Sequence, residues 1–225
     1  MTDAPVTFVA LHGFASSPRS KKNEHFAARF AARGIPLARP DLNQPSFAKL
    51  SFAAMLGEVE RTWRAGGERP LRMIGSSLGG YVAALFAAAH PERVDRLVLL
   101  CPAFDLRGRW QGVVAPARLA EWKARGVLAF DDATGRPVDV HYAFFEEGAA
   151  IEPLPRVTCP TGIVHGRGDE TVPFAQSEAY AASTPAVRRL VAVDDDHHLL
   201  RSLDAIDGVI DELFFSDSSG REGAR

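Results

Sequence analysis

Ser77 stands in the run Gly75-Ser76-Ser77-Leu78-Gly79, a G-x-S-x-G spacing with Gly80 next in line. A short apolar stretch precedes the run and an Ala-rich stretch follows it. At the tip of a tight strand-to-helix turn, a serine hydroxyl is lifted clear of the sheet. The positions two before and two after must be small, because larger side chains clash across the bend. A serine so placed can act as a nucleophile. The competing readings are a plain glycine-rich βα turn and a phosphate cradle at a helix N-terminus. The run has no P-loop lysine and no G-x-G-x-x-G spacing, which speaks against nucleotide binding.

A serine hydroxyl is a weak nucleophile at neutral pH and needs a histidine base, which an acid must orient. On a doubly wound sheet such groups lie just beyond strand ends, in the chain order Ser, Asp or Glu, His. Downstream of Ser77, Gly166-Arg167-Gly168-Asp169-Glu170 follows one strand-like run, and Asp194-Asp195-Asp196-His197-His198 follows another. Asp169 is the expected acid; Glu170 is its rival, and a turn or cap role is the bland alternative. His197 is the expected base, with His198 the alternative one position on. Asp194 to Asp196 read as a solvated loop and helix start.

Acyl chemistry also needs two N–H donors facing the developing oxyanion. Leu78, directly after the serine, supplies one. Phe14, in Leu11-His12-Gly13-Phe14, supplies the other; Gly13 permits the close approach and His12 braces the loop. Arg19, Lys21 and Lys22 follow. They read either as a solvated helix start or as a contact for an anionic leaving group, such as that of a nucleotide-bearing thioester.

These residues need strand ends to hold them together. Strand-like runs fall at Thr7–Leu11, Ile35–Arg39, Leu71–Ile74, Arg96–Cys101, Gly162–His165 and Arg189–Val193. They are short and continuously apolar, as strands buried on both faces are. Helical stretches lie between them at Ser20–Arg33, Phe47–Ala65, Leu78–His90, Phe174–Ala182 and Leu200–Phe215. Strand alternating with helix implies a doubly wound, mainly parallel sheet of about six strands, an α/β fold. A single domain over residues 1–215 is expected, with residues 216–225 a disordered tail. Phe104–Pro155 is too long for one crossover helix and holds Trp110, Trp122, Phe130, Tyr142, Phe144 and Phe145. It is either a long crossover with its own small core or a lid over an apolar acyl pocket.

Composition narrows the function classes. The chain has 225 residues, is 46% hydrophobic and 24% charged, and carries a formal net charge of −2. That balance speaks against nucleic acid or an anionic membrane surface as the main partner. No apolar run reaches membrane-span length. The start of the chain lacks the basic-then-apolar pattern of a secretory signal, so a cytoplasmic location is expected. Cys101 and Cys159 form neither a disulfide framework nor a zinc spacing, and read as reduced core residues.

The motifs Leu11–Pro18 and Gly75–Tyr81 resemble those of the α/β-hydrolase superfamily. More narrowly, they are similar to small bacterial serine esterases with Leu-His-Gly-Phe-x-Ser-Ser-Pro and Gly-Ser-Ser-Leu-Gly-Gly-Tyr. The resemblance extends from Val6 to about Phe215. It implies a nucleophile at Ser77, an acid at Asp169 and a base at His197. It also implies action on carboxyl esters or acyl thioesters with no metal or organic cofactor. The long aromatic segment departs from the most compact relatives, so substrate identity does not carry over. The expectation is a serine hydrolase of small ester or thioester substrates. Acyl transfer through the same residues is the enzymatic alternative, and a non-catalytic binding protein on this fold the other.

Overall fold

The strand-like runs become strands because their side chains alternate between two helix-covered faces. In the computed structural model, which describes residues 5–106, 108 and 114–216, these are β1 (Thr7–Leu11), β2 (Leu37–Ala38), β3 (Leu71–Ser76) and β4 (Val94–Leu100). Further along come β5 (Val127–Asp131), β6 (Pro137–His141), β7 (Thr161–Gly166) and β8 (Val187–Val193). Six of them form one parallel sheet in the order β2-β1-β3-β4-β7-β8, and β5 pairs antiparallel with β6 in a separate hairpin. The helices are α1 (Lys21–Ala31), α2 (Phe52–Ala65), α3 (Leu78–Ala89), α4 (Pro116–Arg125), α5 (Ala143–Ala150), α6 (Phe174–Ser183) and α7 (Leu203–Ile210). Trp110, and residues 217–225 of the expected tail, lie outside the described residues.

Period-two alternation sorts the core into two layers. Val9, Leu11, Met73, Leu97 and Leu99 face α2 and α3, where Phe52, Met55, Val59 and Val82 are buried. Phe8, Ala10, Ile74, Val98 and Leu100 face the other way, against Phe26 and Phe30 of α1 and Ile206, Val209 and Ile210 of α7. Ala83, Ala84 and Ala87 of α3 are all buried, so their small side chains let this helix lie close on the sheet.

Three expected elements differ in extent. The Ile35–Arg39 run pairs only at Leu37–Ala38, as a short edge strand. The helix expected over Phe47–Ala65 is broken. Ser46 caps a single 3-10 turn at Phe47–Lys49, Leu50 and Ser51 turn extended, and Ser51 caps α2 afresh through Ala54 N. The last helix begins at Leu203 rather than Leu200, and a π-helical turn carries it over Asp211–Phe215.

Between β4 and β7 the chain forms α4, the β5–β6 hairpin and α5. The hairpin has no counterpart in the sequence reading. Its aromatics pack largely with one another: Trp122 lies near Phe130, Tyr142 and Phe145, and its Nε1 donates to Val140 O at 2.8 Å. Trp122, Phe144 and Phe145 are buried in the same core as α2 and α3. Glu147 of α5 accepts from the Phe52 and Ala53 amides at 2.9 and 2.8 Å, a second cap on α2. Tyr81 of α3 donates to Glu152 O at 2.6 Å.

Trp122 is the center of this unit and has no exposed surface. Trp122→Ala is expected to cost about 3–5 kcal/mol and to lower the melting temperature by roughly 10 °C. Calorimetry checks this; a shift of a degree or two would show the insertion to be loosely attached.

Candidate active site

Ser77 lies between β3 and α3, as the N-cap of α3, with φ 54° and ψ −117°. A non-glycine residue rarely holds a positive φ, and such strain collects at functional sites. The bend is held by Ser77 N donating to Leu100 O at 2.8 Å. A Cβ on Gly75 would stand 2.6 Å from Gly79 O, and one on Gly79 would stand 2.5 Å from both Leu11 O and His12 O. Neither position has room for a side chain.

The loop after β1 crosses directly over the serine. A Cβ on Gly13 would stand 3.2 Å from Ser77 Cβ. His12, buried, holds this loop: its Nδ1 lies 2.9 Å from Gly13 O, and its Nε2 accepts from Leu42 N at 2.9 Å. That matches the bracing role expected of it. Phe14 follows, its ring 5.3 Å from Phe130 and 6.0 Å from Phe144. The aromatic insertion thus backs the loop that carries the Phe14 amide. Leu78 is the first residue of α3, so its N–H belongs to the turn whose donors have no intrahelical acceptor, at the positive end of the helix dipole.

His197 Nε2 lies 3.0 Å from Ser77 Oγ, and His197 Nδ1 lies 2.7 Å from Asp169 Oδ2. A carboxylate only accepts, so Nδ1 carries a proton and Nε2 presents a lone pair to the serine hydroxyl. The rivals point elsewhere. Glu170 and His198 are exposed, and the His198 amide donates to Asp196 Oδ1 at 2.7 Å.

Asp169 Oδ1 accepts from the Thr171 and Val172 amides at 2.8 and 2.7 Å. Burial pushes its carboxyl toward the neutral form, but hydrogen bonds from His165, His197 and the Val172 amide outweigh this and hold it well below the usual carboxylate range.

Sequence reasoning missed three supports. His165, fully buried at the end of β7, places Nε2 2.9 Å from Val172 O and 3.2 Å from Asp169 Oδ2, while Ser177 Oγ donates to its Nδ1 at 2.7 Å. The available signal was a histidine ending an apolar strand. Asp195 is buried, not solvated as expected. It accepts from the amides of Asp196 and Arg201 at 2.8 and 2.9 Å and from Ser202 Oγ at 3.0 Å, which shapes the His197 loop and delays α7 to Leu203. The third is Cys101, buried just after β4. Its ligand atom and those of Asp169 and His197 fall within 4.8 Å of one another and could hold a metal ion. Burial, with Asp169 beside it, pushes the thiol well above its usual range, while Asp169 and His197 are engaged with each other.

The open cleft beside Ser77, about 480 Å³, is lined by Gly13, Phe14, Lys22, His197 and Leu200 among others. A serine with a histidine behind it, one amide at a helix start, another in the loop after β1 and an open cleft form an arrangement that can carry out acyl chemistry.

Fold and site together place the chain in the α/β-hydrolase superfamily. It belongs to the family described as Uncharacterised protein family (UPF0227), which matches residues 7–211. The chain is 30% identical over 166 residues to palmitoyl-protein thioesterase ABHD10, mitochondrial, of Rattus norvegicus, covering 65% of this chain and 54% of that protein. It is 38% identical over 112 residues to lipase LipV of Mycobacterium tuberculosis, covering 47% and 43%. The chain thus spans about half the length of these curated relatives. Among solved structures it is similar in fold to alpha/beta hydrolase domain-containing protein 10 from mouse (TM-score 0.73, 23% identity, 93% and 90% covered). It is likewise similar to Est1E from Butyrivibrio proteoclasticus (TM-score 0.72, 20% identity, 93% and 88% covered). Among the described residues no helix is long and apolar enough to cross a membrane.

A folded carboxyl held below its unfolded value of about 3.9 contributes stability that is full above that pH and lost as pH falls through the folded value. Asp169→Asn is therefore expected to be less stable than wild type at pH 7, with the gap narrowing below about pH 4. Urea unfolding at both pH values measures it, and an equal gap at both would contradict the assignment.

Proposed function

We propose that this chain is a serine hydrolase that cleaves small carboxyl esters or acyl thioesters through an acyl-enzyme. The observation that carries the reading is the continuous hydrogen-bond chain from Ser77 through His197 to Asp169, at a serine held at positive φ. Two relatives that are a thioesterase and a lipase by name support the acyl-hydrolase class.

Ser77 Oγ bonds to the acyl carbon as its proton passes to His197 Nε2. Asp169 keeps the ring oriented and stabilises the imidazolium. The amides of Phe14 and Leu78 take the charge that develops on the carbonyl oxygen. The carbon–oxygen or carbon–sulfur bond then breaks, and the departing atom takes the proton from His197. Water, losing a proton to His197, attacks the acyl-serine and returns the carboxylic acid and the free hydroxyl. Every group in this sequence is a side chain or amide of the chain itself. The insertion between β4 and β7 serves as a wall on the Phe14 side, where the acyl part lies. The free buried thiols of Cys101 and Cys159 suit a reducing, cytoplasmic setting.

A fluorophosphonate probe is expected to label Ser77, as mapped by mass spectrometry, and to leave Ser77→Ala unmodified. Loss of the nucleophile is expected to lower kcat on a p-nitrophenyl ester by about 10⁴–10⁶-fold. Folded protein that takes up no label and cleaves no ester would remove the hydrolase reading and leave a binding role. In a paired test, His197→Gln is expected to approach the loss seen with Ser77→Ala, while His198→Gln loses less than about tenfold. The reverse order of loss would move the base to His198.

A further inference from the structure

Among the described residues, the buried and half-buried cations are paired, with one exception. Arg29, Arg39, Arg72, Arg93 and Arg96 each meet a carboxylate within ion-pair distance. Lys22, in the first turn of α1, is also half-buried, yet its ammonium has no hydrogen-bond or ion-pair partner among the described residues. It lies in the wall of the cleft that contains Ser77 and His197. Its basic neighbours are placed differently. Arg19 is exposed and outside the cleft lining, and Lys21 is exposed at the rim.

The carboxylates that act on Lys22 from a distance are committed elsewhere. Asp169 is taken by His197 and two amides. Asp195 is taken by amides and Ser202, and Asp196 by the His198 amide. Burial pulls Lys22 toward the neutral form, and the charges of these three acids oppose it without contact. An ammonium desolvated without a contact acceptor is costly, and an anion brought to it removes that cost.

Which part of a substrate reaches Lys22 follows from the chemistry. His197 delivers its proton to the departing atom, so the leaving group exits along the wall that holds His197. Lys22, His198 and Leu200 line the same cleft. On the other side lies Phe14, backed by Phe130 and Phe144.

Resting on the hydrolase reading, we propose that Lys22 binds an anionic group on the alcohol or thiol part of the substrate. The preferred substrates are therefore esters or thioesters whose leaving group bears a carboxylate or a phosphate. A lysine ammonium serves as a point charge for either.

The test uses S-acetyl thioesters differing only in the leaving group: 3-mercaptopropionate, its neutral amide, and 2-mercaptoethyl phosphate. Thiol release gives kcat/KM for each, and the two anionic arms separate carboxylate from phosphate recognition. Wild type is expected to favour at least one anion over the amide by about tenfold, the effect of one charge-assisted contact. Lys22→Met is expected to bring that ratio close to one, Lys22→Arg to retain most of it, and Arg19→Gln to leave it in place. Fluorophosphonate labelling of Ser77 in Lys22→Met shows that the site is folded. Equal rates for charged and neutral thioesters in wild type, or an unchanged ratio in Lys22→Met, would overturn the assignment while leaving the hydrolase reading intact. No cleavage of any thioester together with no labelling of Ser77 would bring down both.

Discussion

The site depends on how closely the backbones of β1, β3 and α3 approach one another at the carboxyl end of the sheet. The Gly79 α-carbon packs against the carbonyls of Leu11 and His12, and Gly75 packs against Gly79. A methyl at either place would push α3 off the strands. That contact lets the chain leave β3 and enter α3 within one residue, and it forces Ser77 to positive φ. It also sets the β1 loop over the serine, because Gly13 can come within van der Waals distance of it. The strained backbone persists because the surrounding packing over-determines it.

Around this contact the sheet order does the assembling. β3 and β4 are neighbours, as are β4 and β7, and β7 and β8. The loops bearing Ser77, Asp169 and His197 therefore leave one edge side by side, although Ser77 and His197 are 120 positions apart in the chain. Gly166 lets the ends of β7 and β8 converge, since a Cβ there would meet the carbonyls of Asp195 and Asp196 at 2.4 and 2.6 Å. Buried acids then set the shapes of the loops. Asp195 gathers the amides of the His197 loop, and Asp169 gathers those of Thr171 and Val172 while facing His197.

The aromatic insertion is tied into the core rather than laid over it. Trp122 anchors its hairpin, Glu147 caps α2, and Phe130 and Phe144 meet Phe14. Packing strain is transmitted through interiors of this density. The insertion is therefore mechanically coupled to the loop that holds the Phe14 amide. Of the two sequence readings of this segment, a long crossover with its own small core and a lid over an apolar acyl pocket, the first is corrected in one respect: Trp122, Phe144 and Phe145 are buried in the same core as α2 and α3 rather than in a separate one.

The sequence alone determined what depends on local pattern. The apolar runs marked the strands of the parallel sheet, because strands buried on both faces carry mostly apolar side chains. The glycines around Ser77 marked the bend, because only they fit it. Chain order pointed to Asp169 and His197, which the fold brings to hydrogen-bond distance of each other and, through His197, of Ser77. Tertiary structure decided what depends on partners far along the chain. The separation of His197 from His198, and of Asp169 from Glu170, is a matter of which side chain a loop turns inward. Asp195, in a run of acids that reads as solvated, is buried because the next helix brings amides to it. The hairpin at β5 and β6 forms because Trp122 and the α2 and α3 core give it a surface to cover. Lys22 looks like any lysine at a helix start, and only the tertiary structure sets it in the wall of the cleft with no partner for its charge among the described residues.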